Sequence, residues 1–240
     1  GGSIANSLYA ANQHGSKTFF SCSIGDDEYG EIFLKSFKDN NAISFFRSSL
    51  PTGICLIFVT PDGERTMAAN LGANLDLCPE SINISELLSS EFLILDNFSL
   101  SSKKGIETVE YSLEIKDKVR ICFGLSDVSL ILENYENLKK VFLNRIDILY
   151  GNENEIIKLQ ELIKNPAMNT LVSKGSKGAK YNQINIEASK IDVINTNGAG
   201  DALIGTFLAY TDVLEDRLAL SKAVSYATKV CMINGPRLLT

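Results

Sequence analysis

Tryptophan is absent from the 240 residues and histidine occurs once, as His14. A histidine base or a multi-histidine metal site therefore has almost nothing to draw on. The five cysteines (Cys22, Cys55, Cys78, Cys122, Cys231) are odd in number, scattered, and nowhere spaced C-x-x-C. That excludes a disulfide framework or zinc cage as the organising device and makes a reducing cytoplasm the expected location. No apolar run reaches the roughly 18 residues needed to span a bilayer, so no membrane is expected as a partner. Positive charge is the minority sign: 23 Lys and Arg face 29 Asp and Glu, for a net charge of −6. Nucleic acid is thereby disfavoured as a partner. What the chain does have is 45% hydrophobic residues, enough for a core without disulfide or metal staples. Its chemistry must rest on carboxylates, amides and backbone.

No charged-then-apolar leader opens the chain. Gly1-Gly2-Ser3 runs straight into a helical pattern with Ile4, Leu8 and Ala11 on one face, Ser3 as the expected cap and Gly15 as the stop. Structure ahead of Gly1 is expected to be missing. Residues 17–24 read as a strand, and a second helix is expected to turn Ile32, Phe33 and Phe37 inward. Two β-rich runs around Pro61-Asp62-Gly63 predict a hairpin, with residues 43–70 forming a lid-like excursion. From Pro79 onward, short apolar runs at 92–95, 119–123, 146–150 and 169–173 alternate with helix-length segments at 102–117, 127–143 and 153–164. That rhythm predicts βαβ units and a parallel sheet covered on both faces. Residues 178–193 read as one or two further strands, and two helices, near 199–211 and 215–233, close the chain. With no linker and no repeat, residues 1–240 are expected to form one α/β domain.

The sharpest motif is Asn195-Thr196-Asn197-Gly198-Ala199-Gly200-Asp201, which opens the helix ALIGTFLAY. Glycines at a helix mouth leave N–H groups uncovered, and the helix dipole adds partial positive charge, so an anion such as phosphate is the natural guest. Asp201, in the same first turn, is placed to take a proton from an attacking hydroxyl. The plainer alternative is a turn whose aspartate merely complements the dipole. Three other places carry related signals. Gly1, Gly2 and Asn6 put small residues and an amide at a helix start. Asn152 and Glu155 follow a strand and face one point, as a water-mediated Mg²⁺ site needs or as a capping pair would. Ser173, Gly175 and Gly178 form a tight turn after another strand, suited to a nucleotide or to an ordinary hairpin. Neither G-x-x-x-x-G-K-[ST] nor G-x-G-x-x-G occurs.

Together with Gly25-Asp26-Asp27-Glu28-Tyr29-Gly30, these motifs resemble, in order and over nearly the whole chain, the ribokinase-like (PfkB) family of carbohydrate and nucleoside kinases. Thr52-Gly53, the stretch 61–74 and DILYGNENE are most similar to its adenosine kinase-like members. The resemblance implies a three-layer α/β/α sandwich with a mainly parallel sheet and a small β lid, lacking here an N-terminal strand and lid segment. It implies ATP-dependent phosphoryl transfer to the primary alcohol of a nucleoside or furanose sugar. Asp201 would be the general base, and the amides of Gly198, Ala199 and Gly200 the anion hole. Gly1, Gly2 and Asn6 would hold substrate hydroxyls, with Arg65 reaching in from the lid. Ser173, Gly175, Gly178 and Asn197 would line ATP, and Asn152 and Glu155 would hold its Mg²⁺ through water. Asn195 stands where the family usually has Asp, which bears on a monovalent cation. A monomer or homodimer is expected.

Two other classes compete with this reading: a non-catalytic sugar- or nucleotide-binding protein on the kinase scaffold, and a nicotinamide-dependent oxidoreductase, against which the missing fingerprint counts. His14 reads as a solvated imidazole at a helix end, the strand cysteines Cys22, Cys55 and Cys122 as core, and Phe19-Phe20 and Phe45-Phe46 as paired core aromatics. The sequons at Asn83 and Asn97 read as chance.

Overall fold

The computed structural model describes residues 2–37, 41–59, 65–114, 119–143, 146–163 and 169–238. Its centre is a six-stranded sheet in the order β10-β9-β8-β7-β6-β5. The strands are β5 (Phe92–Asp96), β6 (Arg120–Gly124), β7 (Ile148–Asn152), β8 (Asn169–Ser173), β9 (Ala179–Tyr181) and β10 (Ile184–Ile186). β5 to β8 are parallel, as the alternating rhythm predicts, while β9 and β10 add antiparallel at one edge.

Period-2 alternation sends successive side chains to opposite faces and so builds two cores. On β6, Ile121 and Phe123 enter a core with Val109 and Leu113 of α4 (Lys103–Glu114), Ile131 of α5 (Val128–Glu133), Leu138 and Val141 of α6 (Tyr135–Leu143), and Leu159 of α7 (Glu153–Leu162). Cys122 faces the other way, into a core with Leu203, Ile204 and Phe207 of α8 (Ala199–Tyr210) and Leu220 and Ala223 of α9 (Asp216–Val230). The expected helix over 127–143 is broken at Asn134, whose amide donates to the carbonyl and side-chain oxygens of buried Asn97 at 3.2 and 3.0 Å. Asn97 is thus a core residue, and Asn83 caps α3 (Ile84–Ser89) through the N–H groups of Ser85 and Glu86.

The N-terminal third lies beside this body. α1 (Ser3–Gln13) packs on α8, and β1 (Thr18–Gly25) pairs in parallel with β2 (Asn41–Ser48). Residues 43–48 thus belong to this pair and not to the hairpin, which is β3 (Ile54–Val59) against β4 (Arg65–Asn70). The Pro61-Asp62-Gly63 turn lies outside the described residues. Asp27 caps α2 (Glu28–Lys35) by accepting from Gly30 N–H and also binds the Thr52 N–H and hydroxyl, both at 2.7 Å. The 25–30 motif is therefore a clasp that holds the base of the hairpin.

Several local expectations are corrected. Ile32 is exposed while Phe37, just beyond α2, is buried, stacked on Phe20 and tilted against Phe33, because α2 is short and Phe33 turns inward in place of Ile32. Cys55 is exposed on the hairpin, unlike buried Cys22 and Cys122. Phe45 and Phe46 are about 40% exposed on β2, where no layer covers them. His14 is half-buried against Tyr210 and Tyr226, and burial together with Lys222 and Lys229 lowers its pKa. Among the described residues no helix is long and apolar enough to cross a membrane.

Candidate active site

α8 begins where left-handed Gly198 (φ 75) turns the chain, and a side chain there would strike Pro236 at 2.4 Å. A run of buried residues from Ala202 to Leu208 follows, so the helix is central and its mouth opens at the carboxyl ends of the parallel strands. Ala202 N–H bonds Gly198 O at 2.7 Å, and Ala199 N–H bonds Thr196 O at 3.3 Å. The Ala199 amide is thus partly spent inside the turn. Among the described residues no acceptor meets the N–H groups of Gly198, Gly200 or Asp201, and the space where a Gly200 Cβ would stand is open to 4 Å. The unpaired donors of a helix start, aligned with its dipole, therefore lie beside open space at Gly200.

Asp201 is gripped by α1. Its Oδ1 accepts from Ser3 Oγ at 2.7 Å and its Oδ2 from Asn6 Nδ2 at 2.8 Å. Asn6 Oδ1 in turn accepts from Arg237 Nε at 2.7 Å, which fixes the orientation of the amide. The Arg237 guanidinium is seated over the rings of Phe37 and Tyr9. Burial pushes the Asp201 pKa up, against the downward pull of Asn6, Ser3 and Arg237. Sequence reasoning placed Ser3 as a cap. The cap is Gly2 (φ 95), which offers no side chain, and the Ser3 hydroxyl goes to the carboxylate instead. Arg237 had no motif to reveal it.

Asp96 ends β5, buried, with Oδ1 accepting from Ser99 N–H at 3.1 Å and from its hydroxyl at 3.0 Å. Burial raises its pKa to about 6, with Asp201 adding to the push. Neither Asp96 nor Tyr150, whose phenol lies near both carboxylates, was singled out by the sequence.

Asn152, Glu155, Ser173, Gly175 and Gly178 lie at or just after the carboxyl ends of β7 and β8. Asn152 and Glu155 form a capping box: Glu155 N–H to Asn152 Oδ1 at 2.9 Å, Asn152 N–H to Glu155 Oε2 at 2.9 Å, with a further bond from Nδ2 to Oε1 at 2.6 Å. Glu155 is buried, which raises its pKa, and among the described residues no cation pairs with it. Ser173 stands directly opposite Asn152 in the β7–β8 register. Gly175 (φ 56) and Gly178 (φ 89) make the left-handed turns that follow, Gly175 facing open space and Gly178 packed on the Ile186 carbonyl. Asn197 N–H bonds Asn195 Oδ1 at 2.8 Å, shaping the loop before α8. Gly2 lies at the start of α1 near Asp201. Gly1 lies outside the described residues, and Arg65 is described only as the backbone position opposite Val59. Among the described residues no group of three His, Cys, Asp or Glu side chains could hold a metal ion, so a cation here needs oxygens from a ligand or water.

The model of the pfkB family carbohydrate kinases matches residues 1–234, and the chain belongs to that family. Members of this class are ATP-dependent carbohydrate or nucleoside kinases. The chain is 27% identical to a ribokinase of Dictyostelium discoideum over 99% of its own length and 84% of that protein. It is 28% identical to adenosine kinase 2 of Arabidopsis thaliana over 96% of its length and 77% of that protein. In fold it is similar to the adenosine kinase of Sinorhizobium meliloti, with a TM-score of 0.90 and 23% identity over all of this chain and 80% of that one. It is also similar to a putative Ribokinase II from E. coli in complex with ATP and Mg²⁺, with a TM-score of 0.87 and 20% identity over 98% and 83% of the two chains. The fold is therefore ribokinase-like.

Proposed function

We propose that the protein transfers the γ-phosphoryl group of ATP to a primary hydroxyl of a nucleoside of the adenosine type or of a furanose sugar. The observation that carries this reading is Asp201: a carboxylate in the first turn of α8, held on both oxygens by α1, beside the open N–H group of Gly200. Burial makes it a stronger base than an exposed aspartate, while Ser3, Asn6 and Arg237 keep the ionised form accessible. The acceptor O–H proton passes to Asp201, the oxygen attacks phosphorus, and the bond from phosphorus to ADP breaks. The amides of Gly198 and Gly200 face the charge that spreads over the moving group, with Ala199 contributing less because Thr196 holds its N–H.

Mg²⁺ neutralises phosphate charge when bound with ATP. A buried Glu155 without a cation partner suits that role through water, and Asn152 holds its carboxylate in place. Gly2 would border the acceptor, whereas Asn6, expected to hold a substrate hydroxyl, has both polar atoms committed to Asp201 and Arg237 and orients the carboxylate instead. Ser173, Gly175, Gly178 and Asn197 flank the strand ends where ATP would lie, and the β3–β4 hairpin would be the lid. Both a ribokinase and an adenosine kinase are among the relatives, so a sugar acceptor is the second reading.

ADP release with MgATP and a panel of adenosine, ribose and fructose tests this. At least one acceptor should turn over, and Asp201→Asn should lower kcat by about 10² to 10⁴. Undiminished turnover in the variant would remove Asp201 from the chemistry. Ligand-induced thermal shifts without ADP would instead favour a binding protein on the same scaffold.

A further inference from the structure

Asp96, Gly124 and Tyr150 stand side by side across β5, β6 and β7, in hydrogen-bonded register at the carboxyl ends of the strands. A Cβ on Gly124 would lie 2.5 Å from both Cζ and Oη of Tyr150. The phenol therefore crosses over the glycine, and only a residue without a side chain leaves it room. At its end the hydroxyl is buried and makes no hydrogen bond of ordinary geometry with the protein. The Asp96 and Asp201 carboxylates and Ser3 are its polar neighbours; Ser3 gives its proton to Asp201, and its oxygen, the acceptor toward which the phenol could turn, does not meet it at ordinary hydrogen-bond geometry. A buried hydroxyl without a protein partner costs stability that phenylalanine, with the same ring, would not.

We propose that Tyr150 is a donor of the acceptor site, its hydroxyl hydrogen-bonding the acceptor oxygen whose proton Asp201 removes. This rests on the kinase reading above. An acceptor hydroxyl that takes over the place of Ser3 on Asp201 meets the phenol next. Between two carboxylates and out of water, Tyr150 keeps its proton, so it donates a hydrogen bond throughout and transfers nothing. As the acceptor O–H proton moves to Asp201, charge grows on that oxygen and the bond from Tyr150 strengthens. Its effect therefore belongs to the chemical step more than to binding.

Tyr150→Phe keeps the ring over Gly124 and removes only the hydroxyl. With MgATP and adenosine or ribose, whichever the protein phosphorylates, kcat should fall about 10- to 100-fold with KM within about twofold. The ligand-free Tm should match or exceed wild type, because an unpaired buried hydroxyl is gone. A lower Tm with unchanged kcat would show a hydroxyl held for structure, through a buried water, and would overturn the proposal. So would unchanged kcat beside an inactive Asp201→Asn, in which case the kinase reading stands. An active Asp201→Asn would sink both.

Discussion

Gly205 decides how closely α1 approaches Asp201. It lies one turn beyond Asp201 on α8, and Ser7 lies one turn beyond Ser3 on α1, so the two helices run side by side with a contact at each turn. A Cβ at Gly205 would stand 1.9 Å from the Ser7 carbonyl oxygen and 3.0 Å from its Cα. That is about 1.5 Å short of ordinary contact, and the obstacle is helix backbone, which cannot rotate away. Gly205→Ala must therefore move α1 off α8. A shift of this size stretches the 2.7 and 2.8 Å bonds from Ser3 and Asn6 to roughly 4 Å, beyond hydrogen-bonding range. Overpacking costs about 1–3 kcal/mol, and each lost bond to a carboxylate about 1.5–3 kcal/mol before relaxation. A total near 3–5 kcal/mol corresponds to a Tm lower by about 10 °C for a chain of this size. The loosened carboxylate should also cost at least tenfold in kcat, since misplacing a catalytic group by about 1 Å is expensive. Calorimetry and the ADP-release assay read the two effects separately. A variant that melts within about 2 °C of wild type and keeps full kcat would refute the idea that this helix pair positions the base.

Gly200→Ala should behave oppositely. Nothing lies within 4 Å of the new methyl, and helix propensity should add up to about 1 kcal/mol, yet the methyl enters the space before the open N–H groups and should raise the KM for MgATP. The stability of the ligand-free protein should fall as pH rises from about 4 to about 6. The raised pKa of Asp96 means that the native state holds a proton the unfolded chain has already lost, so the favourable contribution is complete below the unfolded value and gone above the folded one. Asp96→Asn should reduce that slope by its own share, about 3 kcal/mol at most, leaving what Asp201 and Glu155 contribute in the same direction, read by urea denaturation at pH 4.5 and 7.5. Because Asp201 must be ionised to accept a proton, kcat should fall on the acid side as pH drops through its raised pKa, a limb that pH–rate profiles will show. Asn152→Ala removes one half of a capping box and should cost about 0.5–2 kcal/mol in thermal denaturation.

The parallel body of the fold was legible because its strands are buried on both faces and so appear as short apolar runs between amphipathic helices; β8 matches its expected limits at both ends. The strand pairing of β2 was not legible. Residues 41–48 sit next to the hairpin in sequence, but their partner is β1, and nothing local distinguishes the two pairings. Asp201 and the glycines before it were readable because a helix mouth leaves a local signature. Ser3, Arg237, Asp96 and Tyr150 were not, since each matters through a neighbour contributed by a distant segment: 198 residues separate Ser3 from the carboxylate it holds. Asn152 and Glu155 show the converse. A pattern with two local meanings proves to satisfy the capping geometry in full, and any cation role must be shared with it.

The two buried carboxylates explain why so many donors gather here. Burial raises the cost of charge on both, and Asp201 adds to it at Asp96. Asp96 turns one oxygen to Ser99, inside its own strand-end turn, and burial raises its pKa to about 6. Asp201 is supplied instead from two distant segments, through Ser3 and Asn6 of α1 directly and through Arg237 near the C-terminal end behind Asn6. Those donors pull the Asp201 pKa down against the push of its burial and so favour its charged form, facing the helix mouth. A helix start alone would favour any anion. On the proposed function, the grip of α1 would reserve one carboxylate for proton abstraction there, and it depends on α1 lying against Gly205 at a distance no side chain permits.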